Sequence, residues 1–575
     1  MNPSDTVQAP VPPQQTGRRL WPALAVLLLL GAALRGLAID NSSQTAVGNM
    51  PLPDDAFYYF VLARNVAAGE GLVISGEGTP TTGFQPLWGM ILSAIDSLTG
   101  GMDDGDRILS AQVLGSLFGL ATALLIFLSA RRLSPNPLSA LLACGAFLLS
   151  PQVVKHNLNG METSLALLAL ISLLTVFLIY DPRRSAPGTA LLVGLLCGLC
   201  ILARVDLAIV VAAGFGAWVL AALAPAKSEA ERDRKTIWAR IGLAGAGVSV
   251  ALLPWVWIAR NAGAGLLPES GAAVRNLTLL LHDLPLMGFA ESLRQAREIF
   301  LPQYFEYAVE FTSAWVRQVP ILLPATIPVF ALLELKAAEA VSAVLAVLVT
   351  LGLLVFAARS RHRMLRLAVG LWLVYALAMT LAYSGIVLGP WFFQRYGAPI
   401  AVWLHLLLLV ALGLRLGAAR GAPAGAALAA VGIALGFVAL VWQGSYRWIA
   451  QGERAVPDDG FYRAAQAIDR ELPADARVGA FSAGLITYYV RQPVVALDGK
   501  VNGGARRAMV DGAMFRYICE VGVDYIADWE KMVDRLLVHR SGAWSEDNLR
   551  LLQVIDVEDG NDILIFEVND QACPS

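Results

Sequence analysis

Long apolar runs alternate with short polar segments along most of the chain. A membrane-spanning helix needs about 20 mostly apolar residues, and this rule predicts about eleven spans here. Residues 319–333 are also apolar, but a span there would move the basic segment 359–366 to the wrong face, so we expect an interfacial segment. The spans are predicted at residues 20–38, 107–130, 137–151, 163–180, 187–203, 206–224, 238–258, 341–357, 367–384, 397–415 and 424–443.

Basic residues between the apolar runs predict the orientation of the chain. Short cytoplasmic loops are enriched in Lys and Arg, and clusters such as Arg18–Arg19, Arg131–Arg132 and Arg183–Arg184 all fall on one side. The N-terminus is therefore predicted to be cytoplasmic, and an odd number of spans places the C-terminus outside. The predicted extracytoplasmic segments are residues 39–106, 152–162, 259–340 and a tail from residue 444.

The pattern changes in the tail. Strand-like runs "RVGAF", "PVVAL" and "DILIFEV" accompany a helix-like "DDGFYRAAQAIDREL" and a turn signal at Asp498–Gly499. We predict three parts: a disordered cytoplasmic segment 1–19, an all-α polytopic membrane bundle 20–443, and a small extracytoplasmic α/β domain 444–575. Cys519 and Cys573 both fall in the tail, where a disulfide could form.

Composition agrees with an integral membrane protein. Hydrophobic residues make up 57% of the chain and charged residues only 15%, against about 25% charged residues in soluble proteins. The formal net charge of -2 and the scattered basic clusters give no reason to expect nucleic acid as a partner. Cys197 and Cys200 lie in an apolar run without further metal ligands, so we interpret them as packing residues.

The first outer loop contains an unusual segment, "LPDDAFYYFVLARN". Apolar and aromatic residues recur at helical spacing from Asp54 to Ala68, which predicts an amphipathic helix at the membrane interface. Asp54 could cap this helix and Asp55 could favour the positive end of its dipole. This structural account explains why one aspartate stands at the start of the helix, but it explains less well why there are two in a row.

Other ionisable residues at the ends of the predicted spans fall on the same outer face. Each has a structural alternative: Arg204 could pair with Asp206, Glu162 could cap a helix, and Lys155 or His156 could sit at the headgroups. Ionisable residues at membrane depth are costly and by default mark a functional site. Their collection on one face therefore predicts such a site.

The chemistry that suits this set is sugar transfer from a polyprenyl-phosphate lipid. Asp54 or Asp55 could accept the proton of the attacking hydroxyl, and arginines could bind the departing phosphate. A divalent metal, Mg or Mn, between Asp54, Asp55 and Glu162 is possible, although the spacing does not demand it. The candidate phosphate ligands are Arg204, Arg275, Arg395 and Lys155, and the candidate acceptor-contacting or structural residues are Glu162, Tyr58, Arg64, His156, Gln85, Trp88 and Asp206.

The chain resembles membrane glycosyltransferases of the GT-C superfamily, near the bacterial dolichyl-phosphate-mannose-type and arabinofuranosyl transferases. The resemblance lies in "DDAFYYFVLARNVAAGEGLVI", "PTTGFQPLW", "GMET", "ARVD", "NAGAGLLPESGAAVRN", "FFQRYGAP" and "AGLITYYVRQPVVALDGKVN". Thr82-Gly83 and Gln85-Pro86 stand where Asn-Gly and His-Pro are frequent, and no Pro follows Arg204. These departures leave the identities of donor and acceptor open.

The resemblance implies a multi-span bundle in the plasma membrane with an extracytoplasmic active site. It further implies an inverting displacement with a first-loop aspartate as base, for which we expect Asp54, with Asp55 contacting the acceptor or a metal. The expected partners are a polyprenyl-phosphate-linked sugar donor, a glycan, lipid or protein acceptor, and the lipid bilayer. The tail could bind the acceptor, or its "VALDGKVN" could be a turn that packs on the first loop.

Two other functional classes remain as alternatives. A transporter is expected to bind its substrate near the bilayer midplane, whereas the centres of these spans are nearly free of charge. A non-catalytic subunit of an envelope polysaccharide assembly complex would keep the fold without needing the acidic pair.

Overall fold

The computed structural model describes most of the 575 residues. The described residues are 20–44, 52–179, 186–223, 234–281, 301–417, 460–538, 548–557 and 562–573. The last predicted span, 424–443, and the predicted disordered segment 1–19 lie outside them.

Helices dominate the described part of the chain before the tail. One long bundle helix, Asp104–Leu133, has favourable local chemistry at both ends: the side chain of Asp103 caps its start, and Arg131 and Arg132 lie in its last turn. The helices are α1 Leu20–Gln44, α2 Asp54–Ala67, α3 Pro86–Leu98, α4 Asp104–Leu133, α5 Pro137–Leu148, α6 Pro151–Leu158, α7 Thr163–Ile179, α8 Pro187–Ala203, α9 Ala208–Leu223, α10 Arg234–Asn261, α11 Ser270–Leu281, α12 Leu301–Val316, α13 Leu323–Leu332, α14 Leu335–Arg359, α15 Arg363–Leu381 and α16 Phe393–Leu416.

The helices make this a multi-pass membrane protein. Among the described residues, six helices are long and apolar enough to cross a membrane, or up to eight if each of two bent pairs counts as one span. The predicted number of eleven is not confirmed. Three of the predicted spans correspond to the shorter apolar helices α7, α8 and α9, which have 17, 17 and 16 residues.

One predicted boundary needs correction, and one further apolar segment is bent. The predicted span 137–151 is a pair of helices, α5 and α6, with a bend of 53° between them, so residues 152–158 are helical rather than part of a short loop. The cause is Pro151, which lacks a backbone N–H and starts a new helix. Residues 320–332 form a helical segment bent by 90° from α12, and their interfacial position stays a prediction.

The described tail forms a small α/β domain, as predicted. Its helices and strands are α17 Gly460–Glu471, β1 Val478–Ala480, α18 Ala483–Tyr489, β2 Val494–Ala496, α19 Gly503–Val510, α20 Met514–Glu520, β3 Tyr525–Trp529, α21 Glu530–Val533, β4 Leu549–Ile555 and β5 Ile563–Val568. The sheet order is β2-β1-β3-β5-β4. Strands β1, β2 and β3 are parallel, and β5 is antiparallel to both β3 and β4. A disulfide joins Cys519 to Cys573.

The tail packs directly on α2. Eight consecutive residues of this helix, from Ala56 to Ala63, are buried, so the helix is covered on all sides. The predicted helix is confirmed, but its predicted exposed face is wrong because the tail covers it. Arg64 donates hydrogen bonds to the carbonyl oxygens of Thr487 and Tyr488, at 3.1 and 3.0 Å. Contacts of this kind fix the tail relative to the first loop.

Two glycines permit a very close approach between the first loop and the tail. A Cβ on Gly83 would lie 2.0 Å from the carbonyl oxygen of Lys500, and a Cβ on Gly484 would lie 2.2 Å from the carbonyl oxygen of Asp54. Both neighbours are backbone atoms and cannot rotate away. Glycine is therefore required at both positions by the docking itself.

We expect Gly83→Ala to destabilise the docked tail by about 1–3 kcal/mol, because the added methyl group overlaps backbone atoms. Limited proteolysis of the detergent-solubilised protein would measure this as faster cleavage of the tail. The matched control is Gly503→Ala, whose Cβ would meet nothing nearer than 3.6 Å. Equal cleavage rates for the two variants would contradict the tight docking.

Candidate active site

A cavity of about 410 Å³ lies where the first loop, the tail and the ends of several membrane helices meet. Five charged side chains line it: Asp55, Glu162, Asp206, Arg395 and Lys500. Tyrosines, apolar residues and the polar residues Gln85 and Ser270 form the rest of the wall. These are Tyr58, Tyr59, Gly83, Phe84, Gln85, Met161, Val205, Ile209, Leu267, Pro268, Ser270, Gly271, Val274, Met379, Ala382, Tyr383, Val387, Phe392 and Tyr396.

The charged groups alternate in sign across the cavity wall. Lys500 Nζ lies 3.0 Å from Asp498 Oδ2 and 3.0 Å from Asp55 Oδ1. The other oxygen of Asp55, Oδ2, lies 3.4 Å from both terminal nitrogens of Arg395. Beyond it, Arg395 Nε lies 3.9 Å from Glu162 Oε1. One oxygen of Asp55 therefore contacts the tail, and the other contacts a helix of the bundle.

Local structure explains how each member reaches the cavity. Asp55 lies in the first turn of α2, Glu162 immediately precedes α7, and Arg395 lies in the first turn of α16. Lys500 follows Asp498 and Gly499 in a tight turn in which Asp498 Oδ1 accepts from the Lys500 backbone N–H at 2.8 Å. Gly499 has a φ of 75°, which suits glycine. The predicted Asp498–Gly499 turn is thus confirmed.

The ion pairs determine the charge state of Asp55. Burial alone would raise the pKa of its carboxyl group, but attraction to Lys500 and then Arg395 outweighs burial and lowers the pKa below its usual value. For Lys500, burial would lower the pKa, and the attraction of Asp498 and Asp55 instead raises it. Both groups are therefore charged at neutral pH.

Asp54 faces away from the cavity wall and toward the tail. Its carboxylate accepts hydrogen bonds from the backbone N–H groups of Leu485 and Gly484, at 2.7 and 3.3 Å. Burial raises the pKa of its carboxyl group to about 6, although attraction to Lys500 opposes the shift. Residue Pro53, rather than Asp54, takes the N-cap position of α2. Asp54 thus caps a backbone segment of the tail.

The hydrogen-bonding groups of Arg204 are occupied by partners within the protein. Its guanidinium pairs with both oxygens of Asp206 at 2.6 Å and donates to the carbonyl oxygens of Arg395 and Tyr396 at 3.0 and 3.3 Å. The side chain is fully buried. The predicted Arg204–Asp206 pair is present, and among the described residues Arg204 does not line the cavity. It instead holds the start of α16, from which Arg395 projects.

Several other predicted residues lie outside the cavity wall. Trp88 donates to the carbonyl of Gly160 at 2.9 Å, and His156 Nε2 bonds to Gln318 Oε1 at 2.6 Å. Among the described residues, Lys155 and Arg275 do not line the cavity either. Arg64 supports the tail, as described above. These positions do not fit direct substrate contact.

Gln85 and Tyr58, two of the candidate acceptor-contacting or structural residues, line the cavity. Gln85 Oε1 accepts from the Val205 backbone N–H at 3.1 Å, and Tyr58 donates to Asp498 Oδ2 at 3.2 Å. Lys500, Asp498 and Tyr59 received no role from the sequence. The segment "VALDGKVN" was a signal for the first two. Of the two alternatives left open for the tail, the structure shows this segment packed on the first loop; acceptor binding by the tail stays a prediction.

The cavity does not fit the divalent metal considered from the sequence. Asp55 already has both oxygens paired with cations, and Asp54 is bound to the backbone of the tail. In the described part of the chain, no group of three or more His, Cys, Asp and Glu side chains could hold a metal ion. The cationic side chains supply the positive charge that such a metal would bring.

Comparisons with known proteins identify the fold. Residues 448–565 match a family described as a domain of unknown function (DUF8728). No curated protein matches the chain in sequence.

One similar solved structure is the oligosaccharyltransferase AglB from Archaeoglobus fulgidus, in complex with an inhibitory peptide and a dolichol-phosphate. The TM-score is 0.51 and the sequence identity is 13%, and the match covers 97% of this chain and 75% of that chain. The oligosaccharyltransferase of the same organism in complex with Zn and sulfate has a TM-score of 0.50 and a sequence identity of 15%. This match covers 96% of this chain and 74% of that chain. ArnT from Cupriavidus metallidurans bound to undecaprenyl phosphate has a TM-score of 0.44 and a sequence identity of 17%. This match covers 98% of this chain and 100% of that chain. The similarity to the oligosaccharyltransferase shows that the chain has a GT-C-like fold, as the sequence resemblance predicted.

We expect Arg204→Ala to destabilise the protein by about 3–5 kcal/mol, because it leaves the Asp206 carboxylate without its buried partner. Thermal denaturation of the solubilised protein would show a lower melting temperature. Arg366→Ala, at an exposed position, is the control. A melting temperature equal to that of the control would contradict the structural role of Arg204.

Proposed function

We propose that the protein is a glycosyltransferase that moves a sugar from a polyprenyl-phosphate donor to an extracytoplasmic glycan, lipid or protein acceptor. The observation that carries this proposal is the cavity in which the Asp55 carboxylate stands between Arg395 and Lys500 beside an apolar wall. The carboxylate suits a hydroxyl acceptor, the two cations suit a phosphate, and the apolar wall suits a lipid chain.

We assign Asp55, rather than the expected Asp54, as the general base. Asp55 lines the cavity and is ionised, so it can accept a proton from a hydroxyl group held nearby. Asp54 is occupied by two backbone N–H groups of the tail. Its role in this proposal is to position α2, and with it Asp55.

Arg395 and Lys500 are the proposed ligands of the donor phosphate. The leaving polyprenyl phosphate departs as an anion, so preorganised cations stabilise the transition state more than a general acid would. Arg395 is held by the contacts of its backbone carbonyl with Arg204 and by the rings of Phe392 and Tyr396, at 4.8 and 5.2 Å. Arg204, Arg275 and Lys155 are not retained as phosphate ligands.

The apolar side of the cavity suits the first units of a polyprenyl chain. It is formed by residues of the segment after α10 and by the segment between α15 and α16, including Leu267, Pro268, Val274, Val387 and Phe392. The AglB structure with the similar fold contains a dolichol-phosphate, which supports a lipid-phosphate donor here.

The proposed reaction is a single displacement. The acceptor oxygen attacks the anomeric carbon, its proton passes to Asp55, and the bond from that carbon to the phosphate oxygen breaks with inversion. The bonding electrons stay with the polyprenyl phosphate, whose charge is balanced by Arg395 and Lys500. Binding of the phosphate also competes with Asp55 for these two cations, so Asp55 becomes a stronger base when the donor is present.

Transport is a weaker proposal, because the charged wall is built from helix ends and the tail rather than from the centres of the long helices. A non-catalytic role would leave the pairing of Asp55 with two cations without a chemical purpose.

We expect Asp55→Asn to reduce transfer by about 10²–10⁴-fold, because the amide cannot accept the proton. The measurement is turnover of a labelled polyprenyl-phosphate sugar by purified protein in the presence of envelope acceptor lipids. Asp54→Asn is the matched variant and should retain more activity while lowering the stability of the docked tail. Greater loss in Asp54→Asn at equal folding would reverse the assignment.

The pH dependence of kcat/KM separates the two aspartates. A general base works when deprotonated, so activity falls as pH drops through its pKa. Because the pKa of Asp55 is lowered from 3.8, we expect no acidic limb at the pKa of about 6 that burial gives Asp54. A limb there that disappears in Asp54→Asn would identify Asp54 as the base.

A further inference from the structure

Two polar atoms on the cavity wall face each other without a hydrogen-bond partner among the described residues. They are Glu162 Oε1 and Arg395 Nε, 3.9 Å apart. This separation is too long for a direct hydrogen bond. The Glu162 side chain is 1% exposed and that of Arg395 14%, and buried polar atoms nearly always have a partner. The gap between them therefore calls for a ligand atom.

Both side chains are held in place around this gap. Glu162 Oε2 accepts from the Tyr59 hydroxyl at 3.0 Å, and the same hydroxyl accepts from the Gln85 backbone N–H at 3.0 Å. Arg395 is held on its other side by Asp55. Closing the gap would disturb these contacts, so it is a preorganised position rather than a loose ion pair.

The chemistry of the two atoms restricts what can bind between them. Glu162 Oε1 can only accept a hydrogen bond, and Arg395 Nε–H can only donate one. A phosphate oxygen would satisfy the arginine but be repelled by the carboxylate. An ammonium group would satisfy the carboxylate but be repelled by the arginine. A neutral hydroxyl group satisfies both, and its oxygen can reach both atoms with hydrogen bonds of about 2.8 Å.

We infer that the gap between Glu162 and Arg395 binds a carbohydrate hydroxyl group of the substrate, which makes Glu162 a specificity residue. The assignment of that hydroxyl to a sugar rests on the proposed function. The phosphate then binds the opposite side of Arg395, toward Lys500, so one guanidinium divides the cavity into a hydroxyl position and a phosphate position. A sugar that carries an amino group or no substituent at the corresponding carbon is disfavoured.

The test measures binding to the full-length protein in detergent by equilibrium dialysis. One arm compares farnesyl phosphate with farnesyl-phosphoryl mannose, glucose and arabinofuranose. The second arm adds methyl glycosides of the same sugars to protein saturated with farnesyl phosphate. A hydrogen bond to a charged group corresponds to about 10- to 100-fold in affinity. We therefore expect a gain in affinity of this size from at least one sugar, either in a farnesyl-phosphoryl sugar compared with farnesyl phosphate or in a methyl glycoside that binds the saturated protein.

Glu162→Gln should abolish this sugar-dependent gain while binding farnesyl phosphate at least as tightly as the wild type, because a negative charge near the phosphate is removed. Loss of the gain in the first arm assigns the hydroxyl to the donor, and loss in the second arm assigns it to the acceptor. Glu339→Gln, a buried carboxylate on α14 away from the cavity, is the matched control and should keep the gain.

A gain that persists in Glu162→Gln in both arms, or no gain with any sugar in the wild type, would overturn the inference and leave only a bound water in the gap. Failure of the proposed function is distinguishable, because it appears as absence of transfer in the activity assay. The binding arms give their result whether or not transfer occurs.

Discussion

The Asp55 carboxylate is the point on which the site depends, since it binds one cation from the membrane bundle and one from the tail. Arg395 and Lys500 both contact it, and Asp498 balances Lys500 from the far side. Buried ion pairs cost desolvation and contribute little net stability. Their value here lies in placement, because neither the bundle nor the tail contains the complete set of groups alone.

The sequence predicted the parts of this arrangement that depend on local patterns. Helix α2, the tail strands β1, β2 and β5 and the Asp498–Gly499 turn follow from periodicity and turn chemistry, and the described structure contains all of them. The ordered motifs also predicted the GT-C-like fold. The helix, the strands and the turn are each encoded within a short stretch of residues, whereas the motifs that predicted the fold are spread over most of the chain.

The remaining features depend on contacts between distant segments. Periodicity could not reveal that the tail covers the outer face of α2. The sequence suggested the Arg204–Asp206 pair, but not that Arg204 also donates to the carbonyl oxygens of Arg395 and Tyr396 in α16. Lys500 lies 445 residues from Asp55, and no local pattern joins them. The predicted number of eleven spans is not confirmed in the described part of the chain, since helices α7, α8 and α9 have only 17, 17 and 16 residues and α5 bends into α6.

The close approach of Gly83 to the carbonyl of Lys500 has a mechanical consequence. With no side chain between them, two backbones from different domains are in direct contact beside the cavity. The position of the Lys500 backbone relative to the first loop is therefore set by a contact between main-chain atoms. A rigid-body tilt of the tail would move the point from which the Lys500 side chain starts, so the separation of its ammonium group from Asp55 is coupled to the orientation of the whole tail.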